Sequence, residues 1–261
     1  MPKTLDMPEI HCLGTGGYHP NELRQTSCYA IPQWGVVLDA GTGIFRLPSL
    51  IRSDRLDILL SHAHLDHIFG LTVLLENQIV RPVDRIVVWV EPSKRRAIET
   101  HLFDRSIFPA AVDIEFEDLH VGTPVHLDHC SVDTYPQEHP GGSLAFRLAG
   151  HDASETTPSI VYATDTTGDT SEEFSRWCDH PDVLLHECNF TDDHIELAQR
   201  TGHTHTGRLA EVLRNVSARR VVVTHLNSLS REDDPVGLEQ LCDQANLRDG
   251  QCVIATDGLR I

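Results

Sequence analysis

Positive charge is what this sequence has least of. Its 261 residues carry 21 Lys plus Arg against 39 Asp plus Glu, a formal net charge of −18, and the only lysines are Lys3 and Lys94. Binding along a phosphate backbone rests on clustered Lys and Arg, so this balance speaks against extended nucleic acid as a partner. The arginines are dispersed, and the local pairs Arg95-Arg96 and Arg219-Arg220 read as solvated ends of a helix and a strand. Long apolar runs are missing too. No stretch reaches the roughly 18 residues of a membrane span, and Met1–Pro8 lacks the apolar core of a secretory signal, so neither a membrane partner nor a targeting segment is expected. Paired cysteine motifs are absent. The seven Cys are odd in number, scattered and without a CxxC, as in a reduced, cytoplasmic protein whose thiols serve as small core residues.

What is present is a globular composition, 40% apolar and 23% charged, with 17 His that nearly match the strong cations in number. That many imidazoles point to metal or acid–base chemistry. Strand-like runs fall at Glu9–Leu13, Ser27–Ile31, Gly35–Asp39, Leu56–Leu60, Arg85–Val90 and Val112–Phe116. Further ones fall at Ser131–Tyr135, Ser143–Leu148, Ser159–Ala163, Val183–His186, Arg220–Thr224 and Cys252–Ala255. Helices are predicted near Ile68–Val80, Ser93–Leu102 with Ser93 as N-cap, Glu172–Cys178, Thr206–Asn215 and Leu238–Ala245. There is no internal repeat, low-complexity tract or linker. Alternation through two halves of similar size fits an α/β domain with two packed sheets and helices outside.

The densest chemical signal is Ser61-His62-Ala63-His64-Leu65-Asp66-His67, directly after the apolar run Leu56–Leu60. At a strand end residues i and i+2 point the same way, so His62 and His64 can bind one ion. Asp66 and His67 follow where the chain can turn toward a second. Imidazole and carboxylate are donors that zinc, manganese and iron accept. His139, Asp165 and His225 each lie just past a strand-like run, where an α/β layer gathers polar groups.

The order HxHxDH, then His, then Asp, then His resembles the ligand series of the metallo-β-lactamase fold superfamily, and the likeness runs from Leu13 to Ile261. It implies a four-layer αββα sandwich of two mixed sheets with outer helices, with residues 1–261 forming a single hydrolase domain. It also implies two divalent metal ions, zinc ahead of manganese or iron. His62, His64 and His139 would hold one, Asp66, His67 and His225 the other, and Asp165 would bridge. The nucleophile implied is metal-bound hydroxide, which Asp66 can orient or deprotonate.

Asp66 and Asp165 together do not match true β-lactamases. Leu13-Gly14-Thr15-Gly16-Gly17 with Arg24-Gln25-Thr26-Ser27 resembles the opening of the ribonuclease Z-like phosphodiesterase branch. Leu184-Leu185-His186-Glu187-Cys188-Asn189-Phe190 is similar to its HEATF segment, with Cys-Asn in place of Ala-Thr. Gly202-His203-Thr204-His205-Thr206 resembles its HST-type motif, with His205 in place of a Thr. The resemblance implies that Glu187 orients His203, which protonates the leaving alkoxide. His205 is open to three roles: second donor, hydrogen-bond partner or helix N-terminal residue. Tyr18, His19 and Arg24 are candidates for substrate contact.

A tRNA-processing member carries a long arm, in the common bacterial form between the fourth histidine ligand and the bridging Asp. Here only a hairpin and a short loop at His151–Thr157 fit between His139 and Asp165. The expected substrate is therefore a small phosphodiester or cyclic phosphate. The alternatives are a ribonuclease Z-type tRNA 3′ endonuclease, a lactone or thioester hydrolase, and a non-catalytic metal-binding protein. A homodimer is allowed by the resemblance without being marked by any residue.

Overall fold

A buried parallel strand needs apolar side chains on both faces, and the run Leu56–Leu60 supplies them. In the computed structural model, which describes residues 7–151 and 157–261, that run is one of thirteen strands found among the described residues. Residues 1–6, Lys3 among them, and most of the loop at His151–Thr157 lie outside the described residues. The chain divides into two compact units, Pro8–His120 with Thr256–Ile261, and Val121–Ala255.

The first unit holds a mixed sheet in the order β1 (His11–Gly14), β2 (Cys28–Ile31), β3 (Val36–Leu38), β4 (Arg55–Leu59), β5 (Arg85–Val90), β6 (Glu115–Asp118). β1 to β3 are antiparallel and β3 to β6 parallel. Its core joins Ile58, Leu60, Val88 and Val90 to Ile44, Leu71 and Leu74. The last residues return to this unit: Ile10 N donates to the Ile261 carbonyl at 3.1 Å and Cys12 N to that of Leu259 at 2.9 Å. Asp257 then fastens the glycine-rich opening. Its Oδ1 accepts from Thr15 N at 3.1 Å and its Oδ2 from Gln25 N at 2.8 Å.

Three elements differ from the sequence reading here. The single helix expected at Ile68–Val80 is broken into α1 (Leu65–Ile68), a 3-10 turn at Phe69–Thr72 and α2 (Leu74–Val80). The reason is a competing pair of hydrogen bonds. Ala40 N donates to the His67 carbonyl at 2.8 Å and Gly70 N donates to the Ala40 carbonyl at 2.7 Å, taking both groups out of a helical ladder. The next helix, α3 (Pro92–Ala97), begins one residue before Ser93. Glu91 is its N-cap, without a side-chain cap, because Pro92 suits the first helical position. The strand expected at Val112–Phe116 lies at Glu115–Asp118, in register with β5 through Val88 and Phe116.

The second unit holds a mixed sheet in the order β13 (Cys252–Ile254), β12 (Arg220–Thr224), β11 (Val183–Glu187), β10 (Ser159–Ala163), β9 (Ser143–Gly150), β8 (Cys130–Gln137), β7 (Val125–His126). β10 to β13 are parallel and β7 to β10 antiparallel. α4 (Glu172–Cys178) starts at Ser171, whose Oγ accepts from Phe174 N at 3.1 Å. α5 (Ile195–Thr201), α6 (Thr206–Asn215) and α7 (Leu238–Ala245) follow. α6 buries Leu209, Val212 and Leu213, one apolar stripe, with Val161, Leu184 and Val223 in the core. Six cysteines are buried and Cys242 is half-buried, all as free thiols; burial pushes those of Cys12, Cys178 and Cys252 up to about 12. No described helix is long and apolar enough to cross a membrane.

The contact that breaks the helix at Gly70 is a close backbone approach. A Cβ there would lie 2.3 Å from the Gly41 carbonyl oxygen and 2.7 Å from that of Ala40. Gly70→Ala is expected to destabilise the fold by about 2 kcal/mol or more, read as a lower urea midpoint at unchanged slope. An unchanged midpoint would show that the 39–41 backbone yields freely.

Candidate active site

In the first unit the chain leaves β3 through Asp39, a fully buried residue at φ 56°, in the left-handed region. Its carboxylate organises the histidine cluster. Oδ1 accepts from Ser61 N at 2.8 Å and Oδ2 from Ser61 Oγ at 2.9 Å. Oδ2 also lies 2.8 Å from His67 Nδ1. A carboxylate in this setting only accepts, so His67 carries its proton on Nδ1 and keeps the lone pair on Nε2. Ser61 Oγ stands 3.0 Å from His62 Nδ1. Having given its proton to Asp39, that hydroxyl accepts from His62, which leaves the His62 lone pair on Nε2 as well. One buried carboxylate thus sets two imidazoles in the tautomer that binds metal through Nε2.

The rings gather accordingly. His62 lies 4.5 Å from His64 and 4.2 Å from His67, centroid to centroid. His64 is exposed and is the N-cap of α1. Asp66 Oδ2 accepts from Tyr18 N at 2.7 Å and lies 3.4 Å from His67 Nε2. Of the three loop residues considered for substrate contact, Tyr18 is exposed, His19 half-buried and Arg24 buried.

In the second unit four candidate positions sit at one edge of the sheet. His139 lies just past β8, Asp165 just past β10 and His225 directly past β12, while Glu187 is the last residue of β11. The pairing gives these four strands one direction, so their C-terminal ends converge. Asp165 and His225 leave their strands at φ 49° and 50°. His139 Nδ1 donates to the Gly202 carbonyl at 2.9 Å, so its Nε2 holds the lone pair, 3.5 Å from Asp165 Oδ1. His225 Nε2 lies 3.3 Å from Asp165 Oδ2. The two oxygens of one buried carboxylate therefore face two different imidazoles. Donors about 2.0 Å from a tetrahedral zinc stand roughly 3.3 Å apart, so these separations suit a cation between each pair. Asp165, His203 and His225 each offer a donor atom within 4.8 Å of one another.

Glu187 is fully buried and fully engaged. Oε1 accepts from Thr166 N at 2.9 Å and lies 2.9 Å from His203 Nδ1, and Oε2 accepts from Thr204 N at 3.3 Å. His203 stacks on His225 at 5.2 Å and 27° and lies 5.1 Å from His139. His205 is placed differently. It is the N-cap residue of α6, and its Nδ1 is 2.7 Å from Asp192 Oδ1, which also accepts from Gly207 N at 2.7 Å. These contacts fit the readings of hydrogen-bond partner and helix N-terminal residue. His186, next to Glu187, is a core residue whose burial lowers its basicity.

Sequence reasoning missed Asp39, Ser61, Asn189 and the Gly202 carbonyl. Asn189 Nδ2 donates to the His225 carbonyl at 2.9 Å, a use for the Asn that replaces Thr in the HEATF-like segment. Asp39 carried the same signal as Asp165, an acid ending an apolar run, but no neighbouring histidine in sequence drew attention to it.

Residues 35–226 match a family described as the beta-lactamase superfamily domain. A chloroplastic tRNase Z of Arabidopsis thaliana is 26% identical, over 86% of this chain and 69% of the relative. Among solved structures, the metallo-beta-lactamase fold protein YhfI from Bacillus subtilis superposes with a TM-score of 0.75 at 18% identity, over 97% and 98% of the two chains. Unliganded yeast PDE1 gives 0.74 at 17% identity, over 97% and 98%. The chain belongs to the beta-lactamase superfamily, as a metal-dependent hydrolase similar to ribonuclease Z proteins.

Proposed function

We propose that this chain hydrolyses a small phosphodiester or cyclic phosphate, with the two units acting as one hydrolase domain. The observation that carries the reading is Asp165, whose carboxylate oxygens face His139 and His225 separately while Glu187 holds His203 beside them. His62, His64 and His139 would hold one divalent ion, and Asp66, His67 and His225 the second, with Asp165 shared; zinc fits the donor set best. Ions held there would act as Lewis acids and supply a nucleophilic oxygen at neutral pH.

The chain's own groups do the rest. Asp66, beside His67, would orient the attacking water, and the hydrogen bond it accepts from Tyr18 N supports that role by holding the carboxylate. His203 Nδ1 donates a hydrogen bond to Glu187, and in the imidazolium form the ring would pair with this buried carboxylate and carry its second proton on Nε2. That proton goes to the departing alkoxide as the P–O bond breaks. Without it the leaving group departs as a strongly basic anion.

Small size of substrate is supported by charge. Arg46, Arg55, Arg85, Arg95, Arg147 and Arg208 each pair with a carboxylate, so these cations are already answered within the fold. β9 and β10 make up most of the described stretch between His139 and Asp165. The tRNase Z relative makes cleavage of pre-tRNA the second reading. Tight, salt-sensitive cleavage of pre-tRNA would favour it over the small phosphodiester.

His203→Ala is expected to slow diesters with alkoxide leaving groups by roughly 10²–10⁴ while sparing p-nitrophenyl esters, with two zinc ions still bound. Equal losses on both, or a lost ion, would make His203 a ligand or a prop. Asp39→Asn turns one of the two carboxylate acceptors into an amide donor, so the side chain can no longer accept from Ser61 N on one oxygen and from Ser61 Oγ and His67 on the other. It should weaken zinc binding about 10–100-fold in a chelator competition; wild-type affinity would contradict the orienting role.

A further inference from the structure

Tyr18 sits in a conformation that few side chains adopt. Its φ is 64°, and His19 N donates to the Gly17 carbonyl at 2.8 Å across it. An i to i+2 hydrogen bond around a residue of positive φ marks the classic γ-turn, the rare and strained form. A bulky aromatic at such a position is an outlier, and glycine would suit the turn better. The turn cannot relax, because its flanks are tied: Gly16 N donates to the Gln25 carbonyl at 2.9 Å, and Thr15 and Gln25 are both held by Asp257.

The strained residue does not bury its ring. Tyr18 is 79% exposed, and the His19 ring meets it edge-on at 5.2 Å and 62°. Its backbone N–H is the group bonded to Asp66 Oδ2. Leu65 and Phe69, which flank Asp66 one helical turn apart, are also exposed, at 69% and 48%. Large apolar side chains left in water around a reactive carboxylate mark a surface that a ligand covers.

We propose that Tyr18 is a stacking platform for a nucleobase of the substrate, so that the site prefers nucleoside phosphodiesters to aliphatic ones. The proposal rests on the phosphodiesterase reading above. A phosphodiester attacked beside Asp66 must place one of its two ester groups near the residue whose N–H that carboxylate holds. A flat, exposed, rigidly mounted ring offers that group a π-face, and every base has one to match. Recognition by stacking needs no cation, which suits a chain so poor in them.

Tyr18→Gly tests this well, because glycine keeps the N–H to Asp66 and relieves the turn. Its melting temperature should equal or exceed that of the wild type. With zinc-loaded protein, the KM for adenosine 2′,3′-cyclic phosphate should rise about tenfold more than that for glycerol 1,2-cyclic phosphate, and Tyr18→Trp should restore the difference. Equal losses on both substrates would mean that Tyr18 acts only through Asp66 and would overturn the platform, as would no change on either. Calorimetry with adenosine 3′-monophosphate and glycerol phosphate separates the two readings. If neither cyclic diester is hydrolysed but the wild type prefers the adenosine ligand and Tyr18→Gly does not, the platform stands and the phosphodiesterase reading falls. A wild type without that preference removes the platform whatever is hydrolysed.

Discussion

Three strands in this protein are followed within two residues by a non-glycine residue in the left-handed region: Asp39 after β3, Asp165 after β10 and His225 after β12. That conformation costs on the order of 1–3 kcal/mol at each position and persists only where the surroundings impose it. Among residues with a Cβ, aspartate and histidine are among those that tolerate it best. The same residue types carry the oxygen and nitrogen donors that a metal needs. The sharp exit from each strand and the chemistry of the site are therefore one constraint. A strand end that must turn at once presents a polar donor, held rigidly by the apolar sheet behind it.

The second recurring device is a buried carboxylate saturated by donors. Asp39 takes Ser61 N, Ser61 Oγ and His67; Glu187 takes Thr166 N, Thr204 N and His203. A buried charge is expensive unless several hydrogen bonds answer it, and both carboxylates meet that condition. Each then fixes the proton position of an imidazole. The outcome differs with what stands beside the histidine: Asp66 next to His67, and the stacked His225 next to His203.

Much of this was legible in the sequence. β5, β10, β12, α4, α6 and α7 lie at the bounds their apolar patterns predict, because each is framed by caps, turns or charged ends. The Ile68–Val80 helix was misread because its hydrogen bonds go to residue 40, a partner no local pattern reveals. α5 escaped notice because it buries only Ala198 and so has no apolar stripe. The metal-type residues stood out through their order along the chain. Asp39 did not, since its value comes from folding beside His67. The role of His205 likewise depended on Asp192, a partner set by tertiary structure.

The acidity of the chain fits a site that recognises little beyond a phosphate and its immediate substituent. Arg46, Arg55, Arg85, Arg95, Arg147 and Arg208 are answered by carboxylates within the fold, and the candidate site gathers imidazoles beside buried carboxylates. The central claim is that these groups form a metal-dependent phosphodiesterase. The direct measurement is a zinc titration of metal-stripped protein, with bis-p-nitrophenyl phosphate, a lactone and a thioester assayed side by side. The account predicts that phosphodiester hydrolysis rises from background to a plateau at two zinc ions per chain and exceeds the other two activities. Turnover of the lactone or thioester with no phosphodiester hydrolysis, or a plateau reached without metal, would contradict it.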